Sequence, residues 1–265
     1  MSASDKIVIG VSGFSLFSWF TNKLHSRLTD EVYNRYARVY EPIGIVSIIL
    51  PAFNEEDYIE TALKSILSQN VIQKYSDYFE CVVVDNESTD RTAEIAKKYC
   101  QVISAPRGKL NARDAGIRYA SGDIIVSCDA DSYYPPNWLN LLIYHFHDPQ
   151  VVAVYGPHLT QGNLLYKIGM VWYMNAIHSI MSGSGSTFLK KSYFAVNGFD
   201  LSIDQFNRQE MQVEEEIVFP AKLRTLGKVV YELKACSFAS GRHLEIKDIR
   251  SKSKYVQEVK RGERF

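Results

Sequence analysis

The stretch from Gly122 to Asp131, Gly-Asp-Ile-Ile-Val-Ser-Cys-Asp-Ala-Asp, ends in two carboxylates one residue apart. Asp129 and Asp131 repel each other as a bare pair, and the arrangement becomes favourable when a cation lies between them. Hard oxygen donors of this kind suit Mg²⁺ or Mn²⁺, commonly shared with a diphosphate. An isolated Asp-x-Asp is also an ordinary solvated acidic turn, so its surroundings must decide between the two. Residues 124–127 carry two isoleucines and a valine between a Ser-Gly turn and a polar turn, which reads as a short strand buried on both faces. Open α/β sheets bind ligands in the crevice beyond the carboxyl ends of their strands, and that is where this strand delivers its two carboxylates.

Further chemistry-bearing groups follow predicted strands in the same way. A β-branched run at 45–50 ends in Pro51-Ala-Phe-Asn-Glu-Glu-Asp. Pro51 and Phe53 offer flat apolar surface, and Asn54, Glu55 and Glu56 offer polar groups, a set that suits a nucleobase better than its phosphates. The same acidic residues also serve the dipole of a helix carrying Ile59, Leu63, Ile66 and Leu67 on one face. A second strand, 81–84, delivers Asp85 and Asn86, whose side chains can pair with the edge of a base, followed by Ser88 to Asp90, a plausible helix cap. Arg107, Lys109 and Arg113 stand where a short basic loop turns into a helix, a place suited to a diphosphate and equally to solvated charge. Three adjacent glutamates, Glu214 to Glu216, open a later helix and complement its dipole. His145 and His147 follow a helix entered through Pro135-Pro136 and read as surface or core residues lying outside the crevice.

The chain of 265 residues is 46% hydrophobic, enough for a full core, and its 30 basic and 30 acidic residues cancel, leaving no general attraction to nucleic acid. Cys81, Cys100, Cys128 and Cys236 form no Cys-x-x-Cys pair and read as buried free thiols of a reducing compartment. Residues 7–20 are apolar and uncharged, too short to span a bilayer comfortably, and suit a peripheral membrane contact, a marginal signal-like segment or a helix packed on the domain. Its Gly10-Val-Ser-Gly13 lacks the third glycine of a dinucleotide-binding turn. Residues 164–181 form an apolar run with Lys167 as its only charge, either a buried helix or an acceptor-facing or membrane-facing wall. The basic tail after Lys247 suits anionic lipid or solvent. Asn86-Glu-Ser88 is also a glycosylation sequon, and a glycan there would block the crevice, which favours a cytoplasmic location at the cytosolic face of a membrane.

Taken in order, strand, Pro-Ala-Phe-Asn-Glu, strand, Asp-Asn-Glu-Ser-Thr-Asp, Arg-Gly-Lys helix, strand, Asp-Ala-Asp resembles the inverting glycosyltransferases of family 2 over residues 45–245. The resemblance implies the GT-A fold, an α/β domain with a Rossmann-like, mostly parallel central sheet flanked by helices. It implies that residues 51–55 with Asp85 and Asn86 cradle the base of a nucleotide-sugar donor, and that Arg107, Lys109 and Arg113 lie near its diphosphate. By the same resemblance Asp129 and Asp131 approach ribose, phosphate and metal, and His243 matches a further metal ligand of some GT-A enzymes. Glu215 and Glu216 match a Glu-Asp pair whose second member acts as catalytic base, so Glu216 takes that role with Glu215 as the neighbouring register. Many members have a second Asp where this chain has Asn86, which leaves a UDP- or GDP-sugar donor equally open.

The sequence is therefore expected to divide into an N-terminal segment (1–42), a GT-A domain (43–245) and a basic tail (246–265). The expected reaction moves a single sugar, with inversion and with Mn²⁺ or Mg²⁺, to the hydroxyl of a glycan, lipid or protein acceptor. The absence of a Gln-x-x-Arg-Trp motif and of a multi-span segment favours one transfer over polymerisation. A sugar-phosphate nucleotidyltransferase would want a glycine-rich basic loop after the first strand, where this chain is acidic. A catalytically silent nucleotide-sugar binding protein would share every feature except a working base.

Overall fold

The computed structural model describes residues 39–160, 181, 184–203 and 214–240. Within them the central sheet has seven strands in the order β3-β2-β1-β4-β8-β6-β9. These are β1 (Val46–Ala52), β2 (Phe79–Asp85), β3 (Gln101–Ser104), β4 (Ile124–Ser127), β6 (Val151–Tyr155), β8 (Ser186–Leu189) and β9 (Lys228–Tyr231). β1 runs parallel to β2 and β4, and β2 parallel to β3. β8 is inserted antiparallel between β4 and β6, and β6 pairs parallel with β9. A small three-stranded sheet, β5 (Ser132–Tyr133), β10 (Ser237–Ala239) and β7 (His158–Thr160), grows out of the turn that carries the paired aspartates.

The parallel strands are apolar on both faces because helices cover both. Val46, Ile48 and Leu50 of β1 join the core beneath α1 (Ile59–Leu67) and α5 (Trp138–Ile143), while Ile49 joins the core beneath α4 (Lys109–Tyr119) and α7 (Phe219–Arg224). In α1 the apolar spacing buries Ile59, Leu63 and Ile66 and leaves Leu67 partly exposed at the end. Gly116 decides how close α4 lies: a Cβ there would sit 2.4 Å from Ile49 Cγ2 and 2.9 Å from Val84 Cγ2. Arg113 is one turn earlier on the same helix face, so this close approach draws its long side chain down against the sheet. Pro51 is tolerated in a central strand for a local reason. The carbonyl of Ile49 accepts from Cys128, so Pro51, two residues on, faces the same side, and β4 has ended its pairing at Ile49.

Chain order reverses between β1 and β4, since β2 and β3 lie to one side of β1 and β4 to the other. That is the switch point at which doubly wound sheets bind ligands, and residues 51–56 and 128–131 both emerge there. Four strands were not legible in the sequence, namely β3, β5, β7 and β9, each two to four residues long. The glutamate run is a π-helical turn, Glu214–Val218, that leads into α7, rather than the first turn of a regular α-helix. The thiols also correct the expectation of burial. All four are free, but only Cys128 is buried; Cys81, the third residue of β2, Cys100, just before the edge strand β3, and Cys236 are partly exposed. Residues 7–20, most of 164–181 and the tail lie outside the described residues.

Candidate active site

The floor of the site is the turn after β4. Asp129 is held by Tyr134, whose buried hydroxyl accepts from the Asp129 N–H at 2.8 Å and reaches the Ser184 hydroxyl at 3.1 Å. Asp131 is fixed from the small sheet: the Ser240 hydroxyl donates to its Oδ2 at 2.8 Å and the Ser240 N–H to its carbonyl at 3.1 Å. The two carboxylates are thus anchored separately on either side of the buried Ala130.

Beneath them lies a charge cluster that balances itself. The Arg113 guanidinium, 2% exposed, pairs with Asp129 through Nη2 and with Glu215 through Nη1, and also donates to the Ser127 hydroxyl. Lys109 Nζ lies 3.3 Å from Asp129 and 3.7 Å from Glu215. Two cations therefore face two carboxylates, the condition under which burying so many charges is tolerable. Burial alone would raise the Asp129 carboxyl, but Lys109 and then Arg113 overcome it and hold the group well below the usual carboxylate range. Burial likewise pulls Lys109 down, and Asp129 and Glu215 more than offset it, so its pKa is raised.

The rim over β1 and β2 is stapled by side chains acting on backbone. Asn54, with φ of 53°, accepts the Thr89 N–H at 2.8 Å, Thr92 accepts the Glu55 N–H at 2.7 Å, and Asp90 accepts those of Glu56 and Thr92. Asp85 accepts the Ser88 N–H at 3.3 Å, within the same loop. The Asn86 carbonyl accepts the Gly108 N–H at 2.9 Å, which ties the basic loop to the end of β2 and leaves the amide NH₂ as that side chain's donor. Phe53 is covered by the Arg107 guanidinium, 4.3 Å from the ring centroid, and Pro51 is partly exposed beside it.

The three glutamates occupy different environments. Glu214 is buried, accepting Lys222 Nζ at 3.1 Å and the Asp200 N–H at 3.0 Å. Glu215 is buried in the Arg113 cluster. Glu216 is partly exposed, and its charge acts on both Lys109 and His158. His158 was not singled out by sequence. It is partly exposed on β7, its Nδ1 lies 2.9 Å from the Ser237 hydroxyl, and burial lowers its pKa against the opposing pull of Asp129 and Asp131. His145 pairs with Glu232 at 2.9 Å and His147 with the Tyr144 carbonyl, both away from this cluster, and His243 lies outside the described residues. Among the described residues no three His, Cys, Asp or Glu side chains converge closely enough to hold a metal unaided. Two carboxylates at one turn, with oxygen donors only, fit a hard ion that completes its shell with diphosphate and water.

The profile of glycosyl transferase family 2 matches residues 47–191, which span β1 through β8. A poly-beta-1,6-N-acetyl-D-glucosamine synthase of Staphylococcus aureus strain MSSA476 is 28% identical over 183 residues, covering 63% of this chain and 43% of the relative. An undecaprenyl-phosphate 4-deoxy-4-formamido-L-arabinose transferase of Edwardsiella ictaluri is 28% identical over 113 residues, 39% of this chain and 34% of the relative. The chain thus spans less than half the length of these curated relatives. Among solved structures, a Pyrobaculum calidifontis mannosyltransferase in complex with GDP-Man and Mn²⁺ superposes with a TM-score of 0.62 at 18% identity, over 92% of this chain and 72% of that one. S. aureus TarS 1–349 with UDP-GlcNAc gives 0.58 at 20% identity, over 76% and 60%. At these identities the structures speak for a shared fold, the GT-A arrangement of sheet and helices.

Proposed function

The chain belongs to glycosyl transferase family 2, and from that membership we propose that it moves a sugar from a nucleoside-diphosphate donor to an acceptor hydroxyl, with inversion at the anomeric carbon. The observation that carries this reading is the meeting of Asp129, Lys109 and Arg113 at the switch point between β1 and β4, with Asp131 on the same turn and the charge of Glu216 acting on Lys109. Residues 51–55 with Asp85 and Asn86 are the proposed base-binding rim. Lys109 is the cation placed to follow the diphosphate, because its side chain is 40% exposed while Arg113 is sealed beneath it. Asp131 and Asp129 are the proposed ligands of Mn²⁺ or Mg²⁺, whose chemistry when bound is neutralisation of the leaving diphosphate.

In the proposed step the acceptor oxygen forms a bond to the anomeric carbon as the bond to the diphosphate oxygen breaks, and the acceptor's proton passes to a carboxylate on the opposite side. Glu216 is the proposed base. Glu214 and Glu215 each neutralise a neighbouring cation within the protein, which supports a structural role for both. The test is incubation of the full chain with Mn²⁺ and a panel of UDP-, GDP- and dTDP-sugars, reading nucleotide release, anomeric configuration and product mass. Release from one class with an inverted product carrying one added sugar is expected. No release from any donor under any supplied divalent ion refutes the proposal, and a ladder of product masses would replace single transfer with polymerisation.

A further inference from the structure

β7 brings one more side chain to the donor site. It runs parallel to β10 with His158 opposite Ser237, and β10 runs antiparallel to β5 with Ala239 opposite Ser132. Partners in register point to the same side of a sheet, so His158, Ser237, Ala239 and Ser132 share one face, and Leu159, Phe238 and Tyr133 share the other. Ser132 and Ser237 are buried, and Ser240, which follows β10, grips Asp131. His158 therefore shares its face with Ser132, the buried residue that directly follows Asp131 in the aspartate turn. Its ring feels four charges, those of Asp129, Asp131, Lys109 and Glu216, and three of these belong to the proposed diphosphate site. Ser237 fixes the ring through Nδ1, and among the described residues no hydrogen-bond partner meets Nε2.

We propose that His158 is a donor-binding residue whose Nε2–H donates a hydrogen bond to a diphosphate oxygen of the bound nucleotide. The proposal rests on the nucleotide-sugar reading of the site. In the proposed tautomer the Ser237 hydroxyl donates to Nδ1 and the ring proton sits on Nε2, the arrangement that serves an anion. Phosphate is favoured over the metal as the contact because the ion is already supplied with carboxylate oxygens, whereas a half-buried imidazole adds a neutral donor to a site whose cation is Lys109.

Two amide variants separate the ring's two functions. In His158→Asn the amide reaches Ser237 and falls short of the Nε2 position, while in His158→Gln it reaches that position. UDP and GDP are titrated calorimetrically into the full chain and both variants, in saturating Mn²⁺ and again in saturating Mg²⁺. A hydrogen bond to a charged group predicts that His158→Asn weakens binding about 10- to 100-fold and that His158→Gln recovers most of it. The loss should be equal with either ion. A loss confined to Mn²⁺, the ion with the greater liking for nitrogen, would place His158 on the metal and overturn the proposal. Wild-type binding with unchanged affinity in His158→Asn overturns the proposal alone, whereas a wild-type chain that binds neither nucleotide overturns the nucleotide-sugar reading beneath it.

Discussion

Replacing Arg113 with Met removes the cation on which the buried half of the site depends. The guanidinium is 2% exposed and Glu215 is 5% exposed, so Arg113→Met strands a buried carboxylate and loosens a second at Asp129. Breaking a buried pair from one side costs about 3–5 kcal/mol. Lys109, at 3.3 Å and 3.7 Å from the two carboxylates, remains as a partial substitute and, being 40% exposed, is screened by solvent. The lower end, about 3 kcal/mol, is expected, which leaves a domain of ordinary stability folded. Urea unfolding followed by tryptophan fluorescence reads this, since Trp138 is buried in the core. The pH dependence has a definite sign. Asp129 has a depressed folded pKa, so its stabilising contribution is present above the unfolded value of about 3.9 and is lost as pH falls below it toward the folded value. The gap between wild type and Arg113→Met should therefore narrow below about pH 4. Adding Glu215→Gln to the variant should restore part of the loss by removing the stranded charge. A difference under about 1 kcal/mol at pH 7, or one that stays constant into acid, would refute the buried-cluster account.

Asp131→Ala forfeits the carboxylate bond from Ser240, a cost of about 0.5–1.5 kcal/mol, and should abolish transfer while the thermal unfolding curve moves only slightly; metal-independent turnover at the wild-type rate would contradict its role. Gly156→Ala places a Cβ 1.9 Å from the Ala235 carbonyl oxygen, a backbone atom that cannot swing aside. Thermal unfolding should show a loss of about 1–3 kcal/mol from overpacking, and an unchanged midpoint would mean that the loop after β6 yields freely.

The parts of the fold that were legible in sequence share a physical property: the three strands that lead to the site, β1, β2 and β4, are apolar, largely β-branched runs closed by turns, and α1 carries a single apolar face. β3 escaped because only Val102 and Ile103 separate a Gln from a Ser on an edge strand. His158 escaped because its meaning comes from Ser237, 79 positions away, and from a strand of only three residues, too short for its alternation to register. The order of acidic and basic motifs pointed to one sheet edge, and Asp129, Lys109 and Arg113 do meet there. What no spacing could reveal is that Arg113 lies beneath the site, bonded to Glu215, because that depends on Gly116 letting α4 settle onto β1 and β2. The three consecutive glutamates look alike in sequence and differ in burial and in the cation that pairs with each.

That difference gives the most direct test of the catalytic account. Glu214→Gln, Glu215→Gln and Glu216→Gln keep shape and remove basicity, and are compared by turnover with the donor that the wild type accepts, alongside nucleotide affinity. General-base assistance is worth about 10²–10⁴ in rate, so Glu216→Gln should lose turnover by that factor with donor affinity retained. Glu214→Gln and Glu215→Gln should instead show their main effect in unfolding, since each leaves a neighbouring cation short of its partner. Near wild-type turnover by Glu216→Gln, in a protein that still releases nucleotide from its donor, would contradict the assignment of the base.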